Sequence, residues 1–420
     1  MKILQINKFY YRKGGSESHF IGLVNLLRKN NHEVTVLSTK NKKNIKGVNK
    51  DYFVEEIEMK LSNVRDGLKL FYNYRAIKSL EKIIKYNRPD IVHVHNINHH
   101  FSPAILKVFK KYDIPVVMTV HDYKLICPNY KLFNGDGICE KCHGGKYYQC
   151  TFNKCVKNSY LGSLVMTLEA YWAKWKKYYD CVDIFIAPSQ FMRNKLIING
   201  FDSEKVKYLP NFLDKNISKD LIFKNNEKNY ILFFGRISQE KGLGSLVRSL
   251  ELIDDKDVVL KIVGEGPFQM ELKKIIKKLH LEKRVMLVGY KSAKELEEII
   301  VNSQFVVVPS LWYENAPYAI LESYALSKPV IGAKIGGIPE LIKENETGVT
   351  FEAENFDDLT KKINYFLINP EKVVAMGKGG CLFLNKFFNK ENYLEKLVEI
   401  YRKEISKKIE KVLTNRPFLG

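Results

Sequence analysis

Glu314 and Glu322 stand eight residues apart in the stretch Pro309-Ser310-Leu311-Trp312-Tyr313-Glu314-Asn315-Ala316-Pro317-Tyr318-Ala319-Ile320-Leu321-Glu322. The run before it, Phe305-Val306-Val307-Val308, is short, apolar and β-branched, which predicts a buried strand. Pro317 suits the first position of a helix, where its missing N–H would be unpaired anyway. Glu314 is thus expected in a loop at the carboxyl end of a strand, and Glu322 on the following helix. Ligands bind at that edge of an open α/β sheet, and a helix N-terminus favours phosphate. A carboxylate at the reacting end and another about two turns down could grip two parts of one long, anionic ligand. Two solvated surface glutamates would show the same spacing, so the rest of the chain has to decide.

Four other connections add chemistry. Arg236 and Lys241, in Gly235-Arg236-Ile237-Ser238-Gln239-Glu240-Lys241-Gly242, follow an apolar strand pattern and could place a forked cation and a point charge on a diphosphate. A solvated loop is the plain alternative. Gly264-Glu265-Gly266-Pro267, Gly289-Tyr290 and Gly336-Gly337-Ile338-Pro339-Glu340 supply close backbone approaches after further strands. Near the N-terminus, Gly14-Gly15-Ser16-Glu17 opens a helix and can turn N–H groups toward an anion, as can any ordinary turn. No G-x-G-x-x-G occupies that place, which argues against a dinucleotide-binding dehydrogenase. His121 directly follows the strand ending at Val120 and could hydrogen-bond a substrate hydroxyl or serve as a packed structural histidine. His93, His95, His99 and His100 follow or lie in the preceding strand without a ligand spacing.

Those elements come in two series. Strands are expected at Ile3–Ile6, Val34–Leu37, Ile91–Val94, Val116–Val120, Ile184–Ala187 and Val206–Leu209, then at Tyr230–Phe234, Val258–Val263, Val285–Val288, Phe305–Val308, Val330–Ala333 and Val349–Phe351. They are apolar on both faces, as parallel strands covered by helices should be, and helical periodicities lie between them. The expected architecture is two Rossmann-like α/β domains, with residues 1–212 as the first and 213–390 as the second. Residues 213–229 are polar and irregular, as a linker would be. From about Asn389 to Val412 a long amphipathic helix is expected, ending near Asn415-Arg416-Pro417.

At 420 residues two domains are the natural prior, and the 45% apolar content excludes a disordered chain. No run of eighteen apolar residues suggests a membrane span, and the N-terminus enters a strand pattern without a signal-peptide core, which predicts a cytoplasmic protein. Residues 1–200 hold 33 Lys and Arg against 16 Asp and Glu, whereas the rest hold 35 against 31. The basic half predicts an anionic partner: membrane lipid, a phosphorylated substrate or nucleic acid. General lysine richness would have raised both halves alike. Residues 161–180 predict a helix carrying Tyr171, Trp172, Trp175, Tyr178 and Tyr179 among Lys174, Lys176 and Lys177, which suits either a membrane interface or packing on the sheet.

Five of the seven cysteines, Cys127, Cys139, Cys142, Cys150 and Cys155, crowd a glycine-rich stretch over residues 127–155. One C-x-x-C with further cysteines resembles a structural zinc knot that would stabilise an insertion with little core. A loop with free thiols is the alternative, since disulfides are disfavoured in a reducing compartment.

In this order and spacing the motifs resemble those of the retaining glycosyltransferases of family four, of the two-Rossmann-domain GT-B type. The residues carrying the likeness are Gly14-Gly15-Ser16-Glu17, His121-Asp122, Ala187-Pro188-Ser189, Pro210-Asn211, Gly235-Arg236 with Glu240-Lys241-Gly242, Val263-Gly264-Glu265-Gly266-Pro267, and Glu314 with Glu322 and Gly336-Gly337-Ile338-Pro339-Glu340. His121 to Pro128 with the cysteine-rich insertion further resembles members that build bacterial surface polysaccharides. Asn211-Phe212 departs from the pattern, where many relatives have a glycine.

The resemblance implies a nucleotide-sugar donor in an interdomain cleft, and a saccharide or polyprenyl-linked acceptor on the first domain at the cytosolic membrane face. Arg236 and Lys241 would neutralise the diphosphate, so that no catalytic metal or other cofactor is needed, and Gly15 and Gly264 would approach the donor by backbone. Glu322 would bind the ribose. Glu314 would sit by the transferred sugar with Asn315, Ala316 and Pro317, and His121 would reach a sugar hydroxyl. The terminal helix would return to the first domain. Two rivals remain: a nucleotide-sugar epimerase of the same shape, and a basic nucleic-acid-binding protein, for which no recognition motif is present.

Overall fold

A computed structural model describes residues 1–46, 51–56, 64–214 and 230–414. Most of the expected linker, residues 213–229, and the expected stop at Asn415-Arg416-Pro417 lie outside these.

The chain forms two compact units, one of Met1–Asn134, Cys139–Asp214 and Lys390–Gly420, the other of Gly135–Ile138 and Lys215–Asn389. The first is built on strands β1 (Lys2–Ile6), β2 (Glu33–Thr39), β3 (Tyr52–Val54), β4 (Ile91–Val94), β5 (Val116–Thr119), β6 (Ile184–Ala187) and β7 (Val206–Tyr208). They pair in the order β3-β2-β1-β4-β5-β6-β7, all parallel. The second unit has β8 (Tyr230–Phe234), β9 (Val259–Val263), β10 (Val285–Gly289), β11 (Val306–Val308), β12 (Val330–Ala333) and β13 (Gly348–Phe351), again parallel, in the order β10-β9-β8-β11-β12-β13. Both are doubly wound sheets in which the strand order reverses beside the first strand. That reversal opens a crevice at the carboxyl edge, between β1 and β4 in one and β8 and β11 in the other.

Strand composition explains the layers. β4, β5, β6, β8, β11 and β12 are buried along their whole length, so helices must cover both faces. In the first unit the helix Gly15–Lys29 lays Phe20, Leu23, Val24 and Leu27 against the sheet. Tyr393, Leu397 and Tyr401 of the C-terminal helix Lys390–Thr414 join the same core, so this helix returns to the first unit as expected. Lys408, 3.2 Å from Asp183, adds an ion pair there.

Three expectations are corrected. β3 has only three residues beside Asp51, Glu55 and Glu56, too few for a period to show. The aromatic helix spans Tyr160–Trp175 rather than reaching residue 180, because Lys177 adopts the left-handed region at φ 53° and ends the turn. Pro317 is not the first helical residue but the extended cap of Tyr318–Ala325, with ψ at 120°. The missing N–H costs as little there.

Candidate active site

In the second unit the chemistry gathers where the strand order reverses. β8 runs into Gly235-Arg236 and the 3-10 turn Gln239–Lys241, and β11 into Ser310–Glu314. Lys241 Nζ lies 2.5 Å from Glu314 Oε1, which also accepts from Ser310 Oγ at 2.7 Å. The Glu314 side chain is nearly enclosed, whereas Lys241 keeps 23% of its side-chain exposure and stands 5.3 Å above the Trp312 ring. A carboxylate so buried is held by a cation and a hydroxyl, the pairing that burial demands.

Backbone contacts knit these loops. Leu311 N–H donates to Glu240 O at 2.9 Å, Gly337 N–H to Glu314 O at 2.7 Å, and Ile237 N–H to Glu265 O at 3.0 Å. Two glycines make this possible. Gly242 has φ +71°, and a Cβ there would meet Pro309 O at 1.8 Å. Gly336 has φ +58°, and its Cβ would meet Glu314 O at 2.4 Å. Only glycine tolerates such positions. Gly264 lies against Gly235, Arg236 is exposed, and Asn315, Ala316, Pro317 and Glu322 are half-buried along the same loop and helix. Sequence spacing thus brought these residues to one sheet edge, but not the direct contact between Lys241 and Glu314. Ser310 and Trp312 carried no role in that reading, although Ser310 stands four residues before Glu314.

In the first unit Gly15 is the first residue of its helix, capped by the extended Gly14, so its N–H is one of the unpaired helix-start donors. His121 follows β5 and is partly buried. Burial, then the Lys8 charge, push its pKa down to about 3, so the ring is neutral. Its Nε2 lies 3.0 Å from His95 Nδ1, and the two rings stack with centroids 5.3 Å apart. Gln5, His93, Thr119, Tyr393 and Tyr401 extend this polar cluster. The signal missed in the sequence was a polar Gln5 inside an otherwise apolar strand.

The five clustered cysteines are free thiols. Burial and the neighbouring Cys127, Cys155 and Cys139 push Cys142 up to about 12, and a hydrogen bond with Cys150 raises Cys155. Among the described residues, no group of three or more His, Cys, Asp or Glu side chains is placed to hold a metal ion. Other contacts pin the insertion to the helix Tyr160–Trp175. Thr151 Oγ1 lies 2.9 Å from Thr167 Oγ1, and just before the insertion Lys124 Nζ pairs with Glu169 at 2.6 Å, both buried. Beside it lies a cavity of about 500 Å³ lined by Lys124, Tyr147, Glu169 and Lys174, and it contains none of the candidate residues.

Two family matches cover most of the chain: Glycosyltransferase Family 4 over residues 13–216 and Glycosyl transferases group 1 over 214–381. The chain belongs to the family-four glycosyltransferases. An uncharacterized 42.6 kDa protein from the cps region of Klebsiella pneumoniae is 28% identical over 410 residues, spanning 90% of this chain and all of the relative. An uncharacterized glycosyltransferase of Methanocaldococcus jannaschii is 24% identical, over 92% of this chain and 94% of its own. Among solved structures, HepE of Anabaena with UDP superposes with a TM-score of 0.68 at 17% identity, over 96% of this chain and all of that one. Sucrose-phosphate synthase of Thermosynechococcus elongatus gives 0.72, also at 17%, over 97% and 99%. The fold of this glycosyltransferase is therefore GT-B.

Among the described residues no helix is long and apolar enough to cross a membrane. The helix Tyr160–Trp175 nevertheless exposes Leu161, Leu168, Tyr171 and Trp175 along one stripe, with the Lys176 ammonium 4.1 Å over the Trp175 ring.

Proposed function

We propose that this glycosyltransferase transfers a sugar, with retention, from a nucleoside-diphosphate sugar to a saccharide or polyprenyl-linked acceptor in cell-surface polysaccharide assembly. The observation that carries the reading is the meeting of Lys241, Glu314 and Ser310 at the reversal point between β8 and β11, beside the exposed Arg236. Two cations at that edge match a diphosphate. The half-buried Glu322 suits a ribose diol, because a carboxylate can accept two hydrogen bonds. HepE binds UDP and UDP-glucose in this fold, and the relatives include a cps-region protein and an amylovoran biosynthesis glycosyltransferase of Erwinia amylovora.

In the chemical step the bond between the anomeric carbon and the leaving phosphate oxygen breaks. The acceptor oxygen bonds on the same face, and its proton passes to the leaving phosphate. Arg236 and Lys241 stabilise the charge that develops on the diphosphate, so no metal is needed for that task. Glu314 holds Lys241 in place and, with the backbone of Asn315, Ala316 and Pro317, offers acceptors and donors to the sugar hydroxyls. Gly264 contributes close backbone in the second unit; in the first, Gly15 offers a helix-start N–H to an anion and His121 a ring nitrogen to a saccharide hydroxyl. The Leu161–Trp175 stripe, its lysines and the basic first half favour an anionic membrane surface, where a lipid-linked acceptor resides.

Nucleotide release tests this. Purified protein is given a panel of nucleotide-sugars, with and without bacterial membrane extract. Release of one nucleotide should rise with extract and collapse in Glu314→Ala and Lys241→Ala; donor isomerisation without release would instead identify an epimerase. Binding to anionic vesicles no tighter than to neutral ones would remove the membrane component.

A further inference from the structure

At the carboxyl edge of the first sheet, eight polar side chains form one hydrogen-bonded chain. His121 Nε2 lies 3.0 Å from His95 Nδ1, and His95 Nε2 lies 3.0 Å from Gln5 Oε1. Gln5 Nε2 lies 3.4 Å from the Tyr401 hydroxyl, which lies 2.5 Å from His93 Nδ1. His93 Nε2 lies 2.8 Å from Thr119 Oγ1; Thr119 hydrogen-bonds Tyr393, whose hydroxyl is 3.2 Å from His19 Nε2.

The chain has one direction. An amide oxygen only accepts, so His95 must carry its proton on Nε2 and donate it to Gln5. Burial and the surrounding histidines keep His95 neutral, which leaves its Nδ1 as a bare acceptor. The donor to that nitrogen is His121 Nε2–H. His121 is neutral as well, so its own Nδ1 carries no proton. On the other side of Gln5 the order continues. The amide N–H donates to the Tyr401 oxygen, the Tyr401 O–H donates to His93 Nδ1, and His93 Nε2–H donates to Thr119. The orientation of the Gln5 amide decides all of this, and in that orientation its N–H has Tyr401 as its acceptor. Reversing the amide would turn every proton round and move the His121 proton to Nδ1.

We propose that Gln5, His95 and Tyr401 are positioning residues that hold His121 as the Nε2–H tautomer, presenting Nδ1 as a hydrogen-bond acceptor to a saccharide hydroxyl. The sugar rests on the function proposed above; the tautomer rests on the hydrogen-bond chain. The C-terminal helix thereby governs the proton on a ring three links away, through a phenol, an amide and a second imidazole.

The test is heteronuclear NMR of the full chain labelled with ¹⁵N-histidine, in which two-bond couplings report which ring nitrogen is protonated. The His121 signals are identified by their loss in His121→Asn. The wild type should show His121 protonated on Nε2. Tyr401→Phe frees the Gln5 amide to rotate, so it should give a mixture or the Nδ1–H form, as should His95→Ala. His95→Asn places an amide oxygen where Nδ1 was and should keep the wild-type pattern, which guards against a merely unfolded variant. In nucleotide release, kcat should fall about tenfold in His95→Ala with donor KM little changed, the size expected for one hydrogen bond, and recover in His95→Asn. A wild-type His121 protonated on Nδ1 overturns the inference, and so does a tautomer indifferent to both His95→Ala and Tyr401→Phe. A shifted tautomer with unchanged kcat overturns the positioning role. Wild-type protein showing the expected tautomer but turning over no nucleotide-sugar overturns the reaction and leaves the tautomer assignment intact.

Discussion

The two sheets reverse their strand order in the same way, yet their carboxyl edges are built from different materials. The second unit has glycines pressed against carbonyl oxygens and a charged pair, Lys241 with Glu314. The first has neutral imidazoles, phenols and an amide joined in a chain, and eight of the nine histidines fall in that unit. In the proposed reaction, a crevice that receives diphosphate needs fixed positive charge and close backbone, and a surface that recognises hydroxyls needs directional donors and acceptors without net charge. One architecture serves both because only the loops and strand ends differ.

The contrast can be broken most severely at the charged pair. Glu314→Ala should lower nucleotide release about 10²- to 10³-fold while circular dichroism stays native, because Lys241 can still reach water. A variant with near-normal turnover would reduce the pair to a structural contact.

Next is the backbone that carries the pair. Gly242→Ala drives a Cβ toward Pro309 O and imposes a left-handed φ, so it should cost on the order of 3 kcal/mol or more. Hydrogen exchange should accelerate in peptides of the second unit and not in the first. Equal acceleration in both would show that the two unfold together.

Acid should do the opposite. Burial holds His93 and His121 neutral, with pKa values pushed down to about 3, and lowers His19 and His95 in the same way. The unfolded chain takes up those protons near pH 6.5 while the folded chain does not, so stability is intact above pH 6.5. It falls as pH drops from 6.5 toward about 3, by about 1.4 kcal/mol per pH unit for each such histidine. Exchange protection should therefore fail first in the first unit. His93→Gln should flatten the slope by one histidine's share.

The smallest effects sharpen the comparison by failing to distinguish the units. Ser189 caps the helix Gln190–Ile198 through Met192 N–H, and Asn355 caps Phe356–Ile368 through Asp358 N–H. Either residue changed to alanine should cost about 1 kcal/mol in thermal unfolding. A much larger loss at one of them would mean that the unit around it is already near its limit.

Much of the scaffold was legible in the order of residues. Buried parallel strands are apolar on both faces, and their edges are marked by glycine, proline and charge, so twelve of the thirteen strands among the described residues and the loop positions of Arg236, Lys241, Glu314 and His121 follow from pattern. The three-residue β3 escaped because a period needs more than one repeat. The end of the aromatic helix escaped because a lysine at positive φ leaves no mark in composition.

Sequence by itself determined which residues stand at which sheet edge, since strand, loop and helix are local properties and the α/β fold sends every strand end the same way. Only tertiary structure decided which of those residues touch. Lys241 and Glu314 are 73 positions apart and meet because β8 and β11 pair, while Gln5 and Tyr401 are 396 apart and meet because the last helix packs on the first sheet. A hydrogen bond depends on tenths of an ångström between side chains from separate elements, and no local pattern carries that distance.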